Sequence, residues 1–193
     1  TAISAVMIPV VSRMAIAMGK AMQQAVMMLV SGIGGIIVYL VNPSSVTGAV
    51  IFFGVYTLAQ TSFWQLSNAV FYDIVEVDEW VNNKRREGDM SSLISVTGTI
   101  ISSFMIWIFG ILFDIAGYDP SLAVQPSGVV PFLNAAVVLV PSVLYLLCFA
   151  ALKACPINKK TFESLQKALA LRKEGKDYSM YMDDVNKILG KKN

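Results

Sequence analysis

Polar side chains recur every four residues within one apolar stretch of the sequence. They are Gln60, Trp64, Asn68 and Tyr72. Positions four apart lie on the same side of a helix, so these residues would form one stripe. An indole ring can stack on a sugar ring while carboxamides bond its hydroxyl groups. The stripe therefore predicts a surface that binds a small polar solute, with Trp64 near the middle of its long helix.

A second interpretation of the same residues is structural, because Gln and Asn also join neighbouring membrane helices through hydrogen bonds. The parallel line of Thr57, Thr61 and Gln65 is open to both interpretations. Hydroxyl groups on the next apolar segment include Ser95 and Thr99, although hydroxyls also bond back to their own helix. The candidate substrate-binding residues are Trp64, Gln60, Asn68, Gln65, Ser95 and Thr99.

Charged residues concentrate between positions 72 and 88, with five acidic and three basic side chains. Asp73, Glu76 and Glu79 share one face of a helix by their spacing. A solvated loop does not need such clustering at the mouth of a helix. We therefore interpret this cluster as functional.

The composition predicts an all-α membrane protein. The chain of 193 residues is 55% hydrophobic and 15% charged, with a mean hydropathy of +0.62. A membrane helix needs roughly 20 apolar residues, and backbone in lipid must satisfy its own hydrogen bonds. Four segments qualify and 1–11 resembles the end of a fifth helix; the four are 23–42, 47–75, 91–117 and 129–152.

Basic residues alternate between the predicted connections. Loops 12–22 and 76–90 and the start of the tail carry Lys or Arg, whereas 42–46 and 118–130 carry none. This asymmetry places the basic loops on the cytoplasmic side of a cell (inner) membrane. The domains are then a helical bundle over 1–152 and a cytoplasmic tail over 153–193.

Local signals define the connections and the tail. Asn42-Pro43-Ser44-Ser45 predicts a tight turn between the first two full spans. In the tail, Thr161 is a candidate N-cap and Gly175 a candidate helix end, with a short helix following from about 182. We expect a solvated or membrane-surface tail, with binding to a partner as the alternative.

Several function classes are excluded by what the sequence does not contain. There is no histidine, no Cys/His metal cluster and no nucleophile motif, so we expect neither an enzyme nor a cofactor. The net charge is only +2, and most basic residues lie in the tail, so a nucleic-acid partner is not expected. Thr1 begins inside an apolar stretch, so we expect a fragment whose N-terminal part is absent.

The charged cluster carries a family resemblance. From Asp73 to Gly88 the sequence has the pattern D-x-x-[DE]-x-x-E-[WY]-x-x-x-x-R-x-E-G, followed by an apolar helix that ends in Gly117-Tyr118. This resembles the glycoside–pentoside–hexuronide:cation symporters of the major facilitator superfamily. The resemblance implies the C-terminal portion, from the end of helix 8 through helix 12, of a two-half transporter that works by alternating access.

The resemblance also implies roles for individual residues. In the family, charges at this loop form a cytoplasmic ion-pair network that joins the two halves, and the equivalent of Trp64 lies in the sugar site of the best-known member. Here the gating residues would be Asp73, Glu76, Glu79, Arg85 and Glu87.

The sequence also departs from that member. Thr99 replaces a sugar-site lysine, Ile94 replaces a glutamine and Ser95 replaces a threonine, so the cargo need not be the same sugar. The coupling cation, Na⁺ or H⁺, would be bound mainly by the missing N-terminal half.

We therefore predict cation-coupled symport of a sugar or glycoside. The expected partners are a sugar-like solute, the lipid bilayer and the N-terminal half of the same transporter. Two alternatives remain at this stage. One is a transporter of the same fold that carries a lipid or an organic anion, and the other is a membrane assembly or regulatory protein that transports nothing.

Overall fold

The computed structural model describes residues 2–41 and 46–190, and it confirms the predicted all-α fold. No strand occurs in these residues. The predicted turn at 42–45 lies outside them. The helices are α1 (Ala2–Met18), α2 (Lys20–Val41), α3 (Val46–Asn82), α4 (Glu87–Ala116), α5 (Val129–Asn134), a π-helical turn (Ala135–Leu139), α6 (Val140–Ala154), α7 (Lys159–Lys173), a 3₁₀ turn (Ser179–Tyr181) and α8 (Met182–Ile188).

Three segments of the described chain are long and apolar enough to cross a membrane. They are Lys20–Val41, Glu87–Ala116 and Val129–Ala154. The longest helix, α3, has 37 residues, and the polar stripe lowers its hydropathy. At about 1.5 Å per residue it is longer than the ~30 Å hydrocarbon core. The acidic residues between 76 and 82 therefore lie on a continuing helix, although the sequence predicted a loop from 76 to 90.

The centre of the bundle is α2, which packs against α3 on one side and α6 on the other. Its glycines allow these close approaches. A Cβ atom added at Gly34 would lie 2.6 Å from Val55 Cγ1, and one at Gly32 would lie 2.8 Å from Leu146 Cγ. A Cβ at Gly35 would overlap Ser142 Oγ. These three glycines therefore lie where neighbouring helices approach α2 closely.

Helix α4 stands apart from this bundle. None of its residues is buried, and its main contacts are with α3 and α5. It ends at Gly117, whose φ of 73° is the left-handed conformation that glycine adopts without strain. An apolar helix with no buried residue leaves its whole surface available to lipid or to other helices.

The tail begins with a different cap from the one predicted. Asn158 is the N-cap of α7, and its side chain accepts a hydrogen bond from the backbone N–H of Thr161 at 3.1 Å. The Thr161 hydroxyl accepts the reciprocal bond from Asn158 N–H at 3.0 Å. Thr161 is therefore the third helical residue of a capping box, and the prediction of Thr161 as N-cap is wrong.

The tail folds back onto the end of α3. Trp80 is buried there with Leu165, Leu169, Val185 and Ile188. Its ring meets Tyr178 edge to face at a centroid distance of 5.5 Å. One face of the tail is therefore packed against protein, because α7 and α8 form a small core with the last turn of α3. A solvated or membrane-surface position stays a prediction for its other faces.

Arg172 closes this core from one side. Its guanidinium lies 4.9 Å from the centre of the Trp80 ring, and it donates a hydrogen bond to Trp80 O at 3.0 Å. A cation over an indole face is attracted by the ring quadrupole. Trp80 is therefore the apolar anchor that α3 provides for the tail.

Replacing Gly35 by Val should loosen the packing of α2 on α6. Overpacking of this kind costs about 1–3 kcal/mol, because the added carbons would overlap the Ser142 side chain. The measurement is the thermal unfolding midpoint of the purified protein in detergent. Gly54→Ala is the matched control, since nothing lies within 4 Å of a Cβ there. Equal midpoints for both variants would contradict the close contact.

Replacing Trp80 by Ala should release the tail. Removing a buried Trp costs about 3–5 kcal/mol, and Trp80 is the buried side chain that α3 contributes to this core. We expect faster cleavage of the tail by a lysine-specific protease. Trp107→Ala is the control, because Trp107 is 60% exposed on α4. A tail that stays equally resistant in both variants would show that it is held elsewhere.

Candidate functional site

The predicted stripe lies on the open face of α3. The Trp64 side chain is 71% exposed, Asn68 is exposed and Tyr72 is 47% exposed. Gln60 is half-buried, and its Nε2 donates to the Tyr56 hydroxyl at 3.3 Å. The structure thus places these four residues on one accessible surface. The indole face and the Asn68 carboxamide remain available for a ligand.

The neighbouring polar line faces inward and joins helices. Gln65 Nε2 donates to Ser12 Oγ of α1 at 2.6 Å and to Ile8 O at 3.3 Å. Thr61 is buried. These contacts favour the structural interpretation for Gln65, which the sequence placed among the substrate-binding candidates.

Two buried polar residues were not singled out from the sequence. Ser62 donates to Gln23 Oε1 at 2.8 Å, and both side chains are fully buried. Gln23 Nε2 and Thr61 Oγ1 have no hydrogen-bond partner among the described residues. The available signal was a carboxamide within the apolar segment of α2, because a polar group at that depth requires a partner.

The two candidate hydroxyls of α4 are not joined to the stripe. Ser95 and Thr99 are both exposed. Thr99 Oγ1 donates to Ser95 O at 3.0 Å, which is a bond within its own helix. Across the described residues, no hydrogen bond connects either hydroxyl to Trp64 or Asn68.

The acidic residues near the end of α3 contact α2, α7 and the loop before α4. Asp73 pairs with Lys20 at the start of α2, with Nζ and Oδ1 2.5 Å apart. Lys20 also donates to Ala69 O at 3.4 Å. One turn further along, Glu76 Oε1 accepts from Gln166 of the tail at 3.3 Å. Asp73 therefore ties α3 to α2, whereas Glu76 ties it to α7.

Glu79 is shared between the loop and the tail. One oxygen lies 2.6 Å from Lys173 Nζ and the other lies 3.7 Å from Arg85 Nη1. Arg85 also pairs with Glu87 at 3.1 Å. The structure brings together Glu79, Arg85 and Glu87, but it places Asp73 and Glu76 in separate contacts. Lys173 was missed because it lies far away in the sequence.

A further pair closes the loop that leads into α4. Arg86 Nη2 lies 2.6 Å from Asp78 Oδ1 and Arg86 Nε lies 3.1 Å from Oδ2, a two-pronged contact. The hydrogen bond from Arg86 lowers the pKa of Asp78 below its ordinary value. This pair was not predicted as part of the network. It holds residue 86 against the end of α3.

The polar stripe and the charged end of α3 can bind a ligand noncovalently and exchange ion pairs. Within residues 2–41 and 46–190 no group of His, Cys, Asp and Glu could hold a metal ion. The open face of α3 presents an aromatic ring beside carboxamides, and the end of α3 presents paired charges.

A comparison with known protein families supports a membrane protein. The family model for "MFS/sugar transport protein" matches residues 1–159, most of the chain. No curated protein and no solved structure matches it. The match covers the bundle and the charged loop and ends where α7 begins. The chain is a membrane protein that belongs to the MFS/sugar transport protein family.

Proposed function

We propose that this chain forms one wall of a sugar- or glycoside-binding site in a cation-coupled symporter. The observation that carries the proposal is the exposed indole of Trp64 beside the exposed carboxamide of Asn68 on helix α3. A carboxamide that faced hydrocarbon would leave its hydrogen bonds unmade, at a cost of several kcal/mol. A polar cavity on this side of α3 would give the Asn68 carboxamide hydrogen-bond partners and so remove that cost.

The position of Trp64 along α3 agrees with a site near the middle of the bilayer. Trp64 is 18 residues from both Val46 and Asn82, the two ends of the helix. At about 1.5 Å per residue this is ~27 Å from each end. Secondary transporters bind their solutes near the bilayer midplane, between two bundles that rock against each other. Trp64 would stack on the sugar ring, with Gln60 and Asn68 as hydrogen-bonding neighbours.

A second helical bundle would supply the opposite wall. The open face of α3 and the unburied surface of α4 support this, because the described residues leave much of both helices uncovered. Ser95 and Thr99 would line the site if α4 turns that face toward the second bundle. We place the coupling cation, Na⁺ or H⁺, on the second bundle, since the described residues of this one offer no carboxylate beside Trp64.

The charged end of α3 would act as the cytoplasmic gate. Arg85 already lies within ion-pair distance of both Glu79 and Glu87. The basic loops support a cytoplasmic position for this end. Exchange of these pairs with charges on the second bundle would close and open the inward path.

Trp64→Ala should abolish saturable uptake of the cargo. An aromatic stacking contact is worth about 0.5–1.5 kcal/mol beyond the area that it buries, and about 1.4 kcal/mol corresponds to a tenfold loss of affinity. The measurement is uptake of a radiolabelled glycoside panel into vesicles that contain the full transporter, with and without Na⁺ and proton gradients. Trp64→Phe should retain part of the activity, because it keeps an aromatic face.

Trp107→Ala is the matched control, since Trp107 is a similarly exposed tryptophan and lies on α4. It should leave uptake unchanged at equal expression. Uptake that both alanine variants reduce equally would indicate a general packing effect. If no sugar is taken up under either gradient, the sugar assignment fails, and a lipid or organic-anion cargo or a role without transport remains.

Glu79→Gln should change the transport rate while leaving expression intact. It removes the partner of both Arg85 and Lys173, so the balance between inward- and outward-open states should shift. Asp78→Asn is the matched control, because Asp78 pairs with Arg86 and, among the described residues, forms no ion pair with the tail. The measurement compares the initial rate of net uptake with the rate of counterflow exchange. Equal rates in both variants and the parent would exclude Glu79 from the gate.

A further inference from the structure

A cavity of about 800 Å³ opens at the end of the bundle where α6 leads into α7. Its walls come from the last turn of α1, the first turn of α2, the second half of α3, the end of α6 and the start of α7. The apolar part of the wall includes Ile16, Met22, Leu66, Val70, Leu152 and Phe162. Ile16 is 74% exposed and Met22 is 40% exposed, so an apolar occupant would contact them.

Three lysines and two acids also line this cavity. Lys20 is neutralised by Asp73, 2.5 Å away. Lys159 Nζ donates to the backbone oxygen of Ile16 at 2.8 Å, a neutral partner that leaves its charge uncompensated. Lys153 forms no ion pair within residues 2–41 and 46–190. Three lysines against Asp73 and Glu163 leave one net positive charge, which matches a singly charged phosphodiester.

We propose that this cavity binds an anionic phospholipid, with its phosphate between Lys153 and Lys159 and one acyl chain along the apolar wall. The site depends on the chain lying in a bilayer and not on the identity of the transported solute. The cavity lies at the level expected for lipid headgroups, because the neighbouring helices α1 and α6 end beside it at Met18 and Ala154. Basic pockets between membrane helices at this level bind phospholipid headgroups.

The apolar wall distinguishes a lipid from a free anion. Inorganic phosphate would use only the lysines and would leave Ile16, Met22 and Phe162 in contact with water. An acyl chain covers them, at about 0.8 kcal/mol for each buried methylene group. The bound lipid would hold α7 against the ends of α1 and α6, because Lys153 and Lys159 lie on either side of the bend between α6 and α7.

The test is a lipid titration of the purified full protein in a neutral detergent. Native mass spectrometry and the thermal unfolding midpoint are measured with phosphatidylglycerol, with phosphatidylcholine and with inorganic phosphate. We expect retained phosphatidylglycerol and a raised midpoint, with little effect of the other two. Lys153→Gln/Lys159→Gln should lower the phosphatidylglycerol affinity by tenfold or more.

Lys160→Gln/Lys167→Gln is the matched control, because it removes the same charge from exposed lysines that do not line the cavity. It should keep the lipid preference. Met22→Gln should weaken lipid retention without altering any charge. Equal loss in both double variants would reduce the effect to surface charge, and an equal response to inorganic phosphate would replace the lipid by a soluble anion; either result overturns the proposal. These measurements do not use transport, so they stay separate from a failure of the sugar assignment.

Discussion

Hydrocarbon offers no hydrogen bonds, so each polar group in the bundle needs a partner within the protein or a watery surface. The backbone meets this requirement as helices, and buried side chains meet it between helices. Ser31 Oγ, for example, donates to Val55 O at 2.7 Å and accepts from Ala59 N at 3.1 Å, which ties α2 to the backbone of α3. Against this background the exposed Asn68 and Trp64 are exceptions. The face that carries them is the one face of α3 whose polar groups are directed away from its own bundle, and this is why we assign the solute site there.

Periodicity alone predicted the helices and the stripe, because both are local properties of the sequence. It could not separate Gln60 from Gln65, which are chemically identical and lie on neighbouring faces. Which of them faces inward depends on where α1 packs, and α1 is more than forty residues away in the chain. The same limit applies to Ser95 and Thr99. Their spacing defines a face of α4, but only the neighbours of α4 decide what that face meets.

The tail shows the same division between local and distant information. Its two helices were predictable from caps and apolar spacing, yet their attachment to Trp80 was not, because Leu165 lies 85 residues further along the chain. Even the local cap was ambiguous, since Asn158 and Thr161 are both good capping residues. The capping box uses both, with Asn158 as the cap and Thr161 in the third position, where Glu or Gln is more usual.

Glu79 connects these parts. Its carboxylate lies 2.6 Å from Lys173 of the tail and 3.7 Å from Arg85 of the loop, so the tail holds it more closely. Arg85 keeps a second partner in Glu87. An ion pair from a second bundle to Glu79 would therefore compete mainly with Lys173, and an ion pair to Arg85 would compete with Glu87. The Arg85 and Lys173 side chains are exposed although Glu79 itself is only 12% exposed. Ion pairs at a protein surface are worth only about 0–1 kcal/mol each, so exchanging one partner of Glu79 for another changes little free energy. The proposed gate would have to open and close many times, and contacts of this strength would allow it, whereas the buried core around Trp80 would hold the tail in place during the exchange.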